Sequence, residues 1–166
     1  AKMLEIYPYV HLISLDFSKA FDTVRHSTLL QKSATMPIPD EIYNWTVDYL
    51  NNREHCIRFN GITSSSHSIN ASIVQGSGIG PVEFVINASD LHPITQLNEM
   101  GKYADDSYLL VPSVNTNSIT AEIDHIAGWA ATNNLTLNTT KTKELMLSRP
   151  KYYSYKKELK SKLVRT

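Results

Sequence analysis

The strongest constraint on the fold is a pair of adjacent carboxylates in the segment KYADDSYLL, residues 102–110. Like charges repel, so Asp105 and Asp106 gain no stability from standing side by side within a packed strand or helix. A turn between two strands exposes both side chains, and a divalent cation neutralises them. The segment therefore predicts a β-hairpin whose tip presents two carboxylates to a metal ion. The alternative is an ordinary polar turn, because Asp is common in turns for local hydrogen-bonding reasons.

Length and composition are those of one globular domain or part of one. The chain has 166 residues, of which 42% are apolar and 19% charged, and this balance is not that of a disordered chain. No apolar run approaches the ~20 residues that cross a bilayer, and residues 1–10 lack the pattern of a secretory signal. The single cysteine, Cys56, forms no internal disulfide. We therefore expect an intracellular protein, cytoplasmic and nuclear, without a membrane partner.

The formal net charge is zero, but the charge is unevenly distributed. Residues 149–166 hold seven Lys/Arg and one acid, giving +6, and residues 1–148 carry −6. A negative body with a basic tail suits a metal-using site beside a polyanion; the alternative is a solvated terminal helix or disordered tail. We expect a folded unit at residues 1–150 and a basic C-terminal tail at residues 151–166.

Hydrophobic periodicity predicts an α+β domain, with a mostly antiparallel sheet covered by helices on one face. Ile42, Trp45 and Tyr49 fall at helical spacing, and Val47 and Leu50 widen this apolar face. The pattern predicts that these residues belong to the core. The expected elements are a strand at 10–15, a helix at 27–33 capped by Ser27, a helix opened by Pro39, strands at 55–59 and 66–73 joined by Asn60-Gly61, a helix from Pro81 to about Asp90, the hairpin at 102–110, a helix at 118–133, and short strands near 135–137 and 145–147.

A third carboxylate, Asp16, ends the first predicted strand, in LDFSKAFD at residues 15–22. Charge at the end of a buried strand is costly unless a partner compensates it. Asp16 therefore needs a cation, which Asp105 at another strand end could share. Carboxylates from distant segments suit a pair of Mg²⁺ ions, of which one activates a hydroxyl and the other stabilises a leaving pyrophosphate. The alternative is a helix N-cap or a strand-end turn.

Four ordered blocks carry a resemblance to a known family. They are LDFSKAFDTVRHSTLL (15–30), QGSGIGP (75–81), KYADDSYLL (102–110) and WAATNNLTLNTTKTKELML (129–147). From about residue 10 to residue 150, the chain resembles the palm of reverse transcriptases from non-LTR (LINE-type, jockey-like) retrotransposons. The resemblance implies a polymerase palm-like antiparallel sheet with helices packed on one face. It also implies an RNA-directed DNA polymerase that adds dNTPs to a primer 3′-OH on an RNA template.

The resemblance also implies a metal site. Asp16, Asp105 and Asp106 would be catalytic and would bind two Mg²⁺ ions, with Mn²⁺ as a possible substitute. The backbone carbonyl of Phe17 would complete the site. Asp106 would lie nearer to the primer end and be the less essential ligand.

Four residues would, by the same resemblance, bind the nucleotide. Besides Phe17, these include Phe21, whose ring would press on the sugar 2′ position and exclude ribonucleotides; the alternative is a core phenylalanine. Gln75 and Gly76 would touch the incoming nucleotide and the templating base, because glycine allows close backbone approach.

Three further positions carry expectations with open alternatives. Lys141 matches the family's fourth block, where a lysine has been suggested to protonate the leaving pyrophosphate; Lys143 or a solvated surface lysine are the alternatives. Tyr103 would support the primer end, or be a hairpin core residue. Glu83 departs from the pattern, because small or apolar residues would pack more easily there.

The resemblance implies an RNA template, a DNA primer, dNTP and the rest of a parent polyprotein as partners. Fingers should precede residue 1, and residues 151–166 are too few for a thumb, so the fragment alone is expected to be inactive; no endonuclease segment is present. A second interpretation is an inactive retroelement remnant that acts as a nucleic-acid-binding domain. A third is another templated polymerase, such as an intron-encoded reverse transcriptase or an RNA-directed RNA polymerase.

Overall fold

Helices and strands alternate along the part of the chain that the computed structural model describes, residues 2–149; residue 1 and the predicted basic tail lie outside it. In chain order the elements are α1 Lys2–Ile6, β1 Tyr9–Leu15, β2 Phe17–Ser18, α2 Ala20–Thr23, α3 His26–Ser33, α4 Asp40–Leu50, β3 Glu54–His55, β4 Arg58–Phe59, β5 Ile62–Thr63, β6 His67–Ser68, α5 Gly80–Asn87, β7 Glu99–Tyr103, β8 Asp106–Pro112, a 3₁₀ helix Ser113–Ser118, α6 Ile119–Thr132, β9 Thr136–Leu137 and β10 Lys143–Ser148. Within residues 2–149, none of the helices has the length and apolar character that crossing a membrane requires.

The main sheet has four antiparallel strands in the order β10-β1-β8-β7. Strand β1 lies in the middle and pairs with β10 on one side and β8 on the other. Because side chains alternate along a strand, β1 directs Ile13 and Leu15 to one face, where both are buried. The predicted α+β class with an antiparallel sheet is confirmed.

One face of this sheet shares the hydrophobic core with several helices. Removing such side chains from water contributes roughly 1.5–3 kcal/mol each to stability, so this cluster determines how the sheet and helices sit together. Its members include Ile13, Leu15, Leu109 and Val111 from the sheet, Leu29 from α3, Phe84 from α5, and Ile126 and Ala130 from α6.

The prediction that the apolar face of α4 belongs to the core is wrong for Ile42 and Trp45 and correct for Leu50. Ile42 and Trp45 are 53% and 50% exposed, whereas the helix buries Leu50 together with Thr46. Tyr49 is half-buried, and its ring stacks on Trp45 with centroids 5.1 Å apart. Helical spacing identifies an apolar stripe, but the packing of α4 on α3 decides which face is covered.

The predicted N-cap of α3 is also wrong. The helix begins at His26, with Arg25 as N-cap and no side-chain cap. The His26 amide donates instead to the Asn70 carbonyl at 2.9 Å. The carbonyl of Asn70, which is distant in sequence, thus binds an amide at the start of the helix that Ser27 was predicted to cap.

The long strands predicted at 55–59 and 66–73 are present only as two short ladders. Strand β3 pairs with β6, and β4 pairs with β5. The turn is as predicted: Asn60 and Gly61 have φ of 48° and 77°, the backbone that two-residue hairpin turns favour. This ribbon is exposed from end to end.

Candidate active site at the carboxylate hairpin

The adjacent carboxylates lie at a hairpin tip, as predicted. Tyr103 and Asp106 form the last pair of the β7–β8 ladder, and Ala104 and Asp105 form the turn between them. Ala104 has φ of 51°, a left-handed conformation that is uncommon for residues other than glycine. Such strain persists only where the surrounding structure holds it, and it concentrates at functional sites.

Asp16 and Asp106 occupy neighbouring strand ends. Leu15 pairs with Ser107 across β1 and β8, and the two aspartates are each one residue beyond that pair. Leu15 and Ser107 are buried on the core face, so alternation directs both aspartates to the opposite face. Residues facing each other on antiparallel strands have Cβ atoms about 4.5–5.5 Å apart. Continued by one residue, this register sets Asp16 across from Asp106, with Asp105 at the adjoining turn.

The main chain of Asp16 is held by the loop that precedes β10. The Asn138 amide donates to the Asp16 carbonyl at 2.7 Å, and the Asp16 amide donates to the Thr142 hydroxyl at 3.5 Å. These contacts place the fourth sequence block, at 129–147, beside the first, at 15–30. They fix the backbone from which the Asp16 carboxylate extends.

The Phe17 carbonyl points away from β9, the strand with which Phe17 pairs. Phe17 pairs with Leu137 across β2 and β9, and the bond from Asn138 to Asp16 flanks this pair. Phe17 and Leu137 are therefore a non-hydrogen-bonded pair, whose own carbonyls turn away from each other. The Phe17 ring is buried and packs edge-on against Trp129, with centroids 5.9 Å apart.

Three of the predicted nucleotide-binding residues line one cleft. Phe21, Gln75 and Gly76 border an open cleft of about 370 Å³ beside the start of α5. The Phe21 ring rests on Phe84, with centroids 5.2 Å apart, which holds it at the wall of the cleft. Gly76 has φ of 81° and open space where a Cβ would lie, so the backbone is accessible there.

Asp22 is a site residue that the sequence reasoning missed. Its carboxylate accepts a hydrogen bond from the Gln75 amide at 2.8 Å, which orients Gln75 at the edge of the cleft. Its place as the last residue of LDFSKAFD was the available signal.

The two candidate lysines differ in their surroundings. Lys143 donates to the Thr140 carbonyl at 2.8 Å. The Lys141 amide is bound by Asn138, while its ammonium makes no hydrogen bond or ion pair to any residue of the described part. Lys141 is thus the more available of the two, and its role stays a prediction.

Tyr103 is 81% exposed, so the interpretation as a hairpin core residue is wrong. Tyr103 pairs with Asp106 across β7 and β8, and paired residues point to the same face of a sheet. Its side chain therefore lies on the face away from the core. Its support of a primer end stays a prediction.

The oxygen atoms of the candidate site are ligands of the kind that a hard cation such as Mg²⁺ prefers, although few side chains supply them. Within residues 2–149, no group of three or more His, Cys, Asp or Glu side chains is arranged to hold a metal. Mg²⁺ commonly takes only one or two protein carboxylates, with waters and substrate phosphates completing its shell. The predicted ligands Asp16, Asp105, Asp106 and the Phe17 carbonyl are oxygen donors of that kind, and Mg²⁺ binding at them stays a prediction.

Helix α5, which follows the glycine-rich loop, carries two buried polar side chains without partners. Glu83 is 1% exposed and Asn87 is fully buried, and their polar atoms form no hydrogen bond with any described residue. Burial raises the pKa of the Glu83 carboxyl, and the charge of Arg53 opposes this. The helix predicted from Pro81 to about Asp90 corresponds to α5. It ends at Asn87, three residues short of the predicted end.

Comparison with known proteins identifies the family. The profile described as reverse transcriptase (RNA-dependent DNA polymerase) matches residues 3–161. The RNA-directed DNA polymerase from mobile element jockey of Drosophila melanogaster is 31% identical over 138 residues, covering 76% of this chain and 15% of that protein. The probable RNA-directed DNA polymerase from transposon X-element of the same species is 28% identical, over 81% of this chain and 16% of that protein. The chain thus spans about a sixth of these relatives.

Solved structures show the same fold. Apo telomerase from Candida tropicalis superposes with a TM-score of 0.66 at 12% identity, over 87% of this chain and 30% of that one. The same telomerase in complex with a TWJ fragment of telomeric RNA gives 0.65 at 10% identity, over 86% and 26%. At such low identity the likeness concerns the fold alone.

Proposed function

This chain belongs to the reverse transcriptase (RNA-dependent DNA polymerase) family, and from that premise we propose that it is the palm segment of a non-LTR retrotransposon RNA-directed DNA polymerase. The parent protein would add dNTPs to a primer 3′-OH on an RNA template. The observation that supports the proposal most directly is that Asp16 and Asp106 each lie one residue beyond the Leu15–Ser107 pair, at adjoining ends of neighbouring strands.

The palm interpretation follows from how the sheet is covered. Helices α3, α5 and α6 contribute to the core on one face, and the acidic ends of β1 and β8 are turned to the other. A primer terminus approaching that other face meets Asp106, Asp105 and Tyr103 at the hairpin. We propose that Tyr103, which is largely exposed there, supports the primer end.

Asp16, Asp105 and the Phe17 carbonyl would hold the metal ions, with Asp106 as the less essential ligand. A pair of Mg²⁺ ions, or Mn²⁺ in their place, would supply activation of the attacking hydroxyl and neutralisation of charge on the leaving pyrophosphate. The protein's own contribution is to keep these oxygen atoms in place. The contacts of Asn138 and Thr142 with the Asp16 main chain do this for one strand end.

The incoming nucleotide would occupy the cleft beside Gly76. The Phe21 ring, supported by Phe84, would lie against the sugar 2′ position and exclude ribonucleotides. Gln75, oriented by Asp22, would contact the nucleotide and the templating base. Lys141 would donate a proton to the leaving pyrophosphate.

The rest of the parent polyprotein would supply fingers, thumb and endonuclease. Holding reactants in the right geometry contributes about 7–11 kcal/mol to such reactions. We therefore expect the 166-residue chain alone to be inactive, and the test belongs on the parent enzyme.

The decisive experiment is primer extension by the parent protein on a primed RNA template. Asp105→Asn should reduce extension to background, whereas Asp124→Asn, at an exposed position of α6, should leave it unchanged. An active Asp105→Asn enzyme contradicts the mechanism. Comparing dNTP with rNTP incorporation separates this proposal from an RNA-directed RNA polymerase.

A second candidate is a catalytically inactive remnant that binds nucleic acid. The unpartnered polar groups of Glu83 and Asn87 favour it, because they weaken the helix that follows the glycine-rich loop. Its sign would be RNA or DNA binding that needs no Mg²⁺ and survives Asp16→Asn.

A further inference from the structure

Lys102 joins the carboxylate hairpin to the end of helix α5. It lies on β7, three residues before Asp105, and pairs with the buried Ser107. Its ammonium donates hydrogen bonds to the carbonyls of Ala88 and Leu91, each at 2.7 Å. Ala88 is the C-cap of α5. A helix end presents carbonyls that lack partners within the helix and a partial negative charge, which suits a lysine ammonium.

The helix that Lys102 holds begins beside the proposed nucleotide cleft. Gly80, the first residue of α5, lines the cleft together with Gln75 and Gly76. A single side chain therefore connects the element that presents the carboxylates with the element that borders the cleft. Their separation decides how far a bound nucleotide lies from the acids.

The hairpin tip needs such support. Ala104 holds a left-handed backbone conformation, which persists only when neighbouring contacts maintain it. Among residues 2–149, strand β7 is at the edge of the sheet and pairs with β8 alone, so this sheet holds the hairpin from one side. The Lys102 bonds are a second attachment, made outside the sheet.

Lys32, which also binds at the end of α5, provides a control for the effect of Lys102. Lys32 of α3 donates to the Asn87 carbonyl at 2.5 Å and to the Asp90 carboxylate at 2.6 Å. The Trp129 indole donates to the same carboxylate oxygen at 2.9 Å. Lys32 thus holds the same helix end as Lys102 does, but from an element that carries none of the proposed catalytic residues.

We propose that Lys102 is a positioning residue, which ties the Asp105–Asp106 hairpin to α5 and so maintains the distance between the carboxylates and the nucleotide cleft. The inference rests on the proposed polymerase function for its catalytic consequence. The tether itself rests only on the two hydrogen bonds and the edge position of β7.

The kinetic test compares three variants of the parent enzyme. Lys102→Met should lower kcat for primer extension by about tenfold to a hundredfold, because a misplacement of about 1 Å has effects of that size. KM for dNTP should stay within a factor of about three, because the cleft residues are untouched. Lys102→Arg, which keeps the charge and the donors, should recover much of the loss. Lys32→Met should weaken the same helix end and keep kcat near that of the wild type.

Two kinetic outcomes overturn the inference. If Lys102→Met keeps the wild-type kcat, the hairpin does not need the tether. If Lys32→Met lowers kcat as much as Lys102→Met does, the effect comes from the helix end alone.

Hydrogen exchange on the 166-residue chain tests the tether without activity. Lys102→Met should accelerate amide exchange in peptides covering β7 and β8, and Lys32→Met should not. Lys102→Gln, which is shorter and neutral, is the second variant should Lys102→Met fail to fold. Unchanged protection of the hairpin refutes the tether. An inactive wild-type parent with faster exchange in Lys102→Met refutes the polymerase proposal and leaves the tether standing.

Discussion

Asp16 and Asp106 each lie one residue beyond the Leu15–Ser107 pair, at the adjoining ends of two neighbouring antiparallel strands. Both lie on the side of the sheet away from the core, although ninety positions separate them in the chain. Two like charges brought together at this spacing repel, unless a cation neutralises them. A metal ion bound at these two carboxylates would therefore remove their repulsion and stabilise this arrangement.

Divalent-ion binding should depend on Asp16. In the 166-residue chain, Asp16→Asn should weaken Mn²⁺ binding by about tenfold or more, since one carboxylate ligand and its charge are lost. Calorimetric titration or Mn²⁺ electron paramagnetic resonance measures this. Asp124→Asn removes the same charge from the exposed side of α6 and should leave the affinity unchanged. Equal affinities for the two variants contradict a metal site at Asp16.

Replacing Glu83 by leucine should stabilise the protein. The two Glu83 oxygens are buried without partners, and each such group costs about 1–3 kcal/mol. Urea unfolding at pH 7 should therefore show Glu83→Leu to be more stable by about 1–3 kcal/mol. A loss of stability would mean that Glu83 has a partner, for which Arg53 is the candidate because its charge acts on this carboxyl.

The stability contribution of Glu83 should also depend on pH. Burial raises the pKa of Glu83 above its ordinary value of 4.5, so the folded state binds a proton that the unfolded state has released. Stability from this group is present below the unfolded pKa and is lost as pH rises through the folded pKa. Urea unfolding should show this decline above pH 4.5, and Glu83→Gln, which does not titrate, should abolish that part of it. An identical pH profile for Glu83→Gln argues against the raised pKa.

Phe21 should control the choice of sugar in the parent enzyme. Phe21→Val opens the cleft wall beside Gly76 and should raise the ratio of ribonucleotide to deoxynucleotide incorporation by roughly tenfold or more. Single-nucleotide extension with matched dNTP and rNTP gives the ratio. Phe84→Leu, which changes the ring behind Phe21, serves as the packing control and should mainly reduce stability. Unchanged discrimination in Phe21→Val means that Phe21 is only a core residue.

Surface and core positions of α4 should respond differently to mutation. Trp45→Gln should change stability by less than about 1 kcal/mol, because Trp45 is half exposed. Leu50→Ala should cost about 2–5 kcal/mol, because Leu50 is 4% exposed and belongs to the core cluster. Thermal and urea unfolding measure both. A large loss in Trp45→Gln alone restores the interpretation of the stripe as core.

Local chemistry made several features predictable. Asn60-Gly61 predicts a two-residue turn because both residues tolerate positive φ, and the observed φ values agree. The adjacent carboxylates at 105 and 106 predict an exposed turn, since neither a packed strand nor a helix relieves their repulsion. The amphipathic helix predicted at 118–133 corresponds to α6.

Features that depend on long-range packing were predicted less well. The sharing of a cation by Asp16 and Asp105 stays a prediction, because the observed register ends at the Leu15–Ser107 pair, one residue before Asp16 and Asp106. A shift of one residue exchanges the faces of a strand, and only the core-facing pairs decide the register. The exposure of the apolar residues of α4 and the hydrogen bond of His26 to a distant residue also depend on long-range packing, so local sequence did not predict them.

The amino-acid sequence by itself determined the elements and the chemical character of the site, because turn residues, periodicity and adjacent charges act over a few residues. Only the tertiary structure decided which strand ends adjoin, which face of α4 is buried, and how Lys102 reaches the end of α5. Those outcomes depend on strand register and helix packing. Both are selected by burying Ile13, Leu15, Leu109 and Phe84 in one shared core, which no local segment specifies alone.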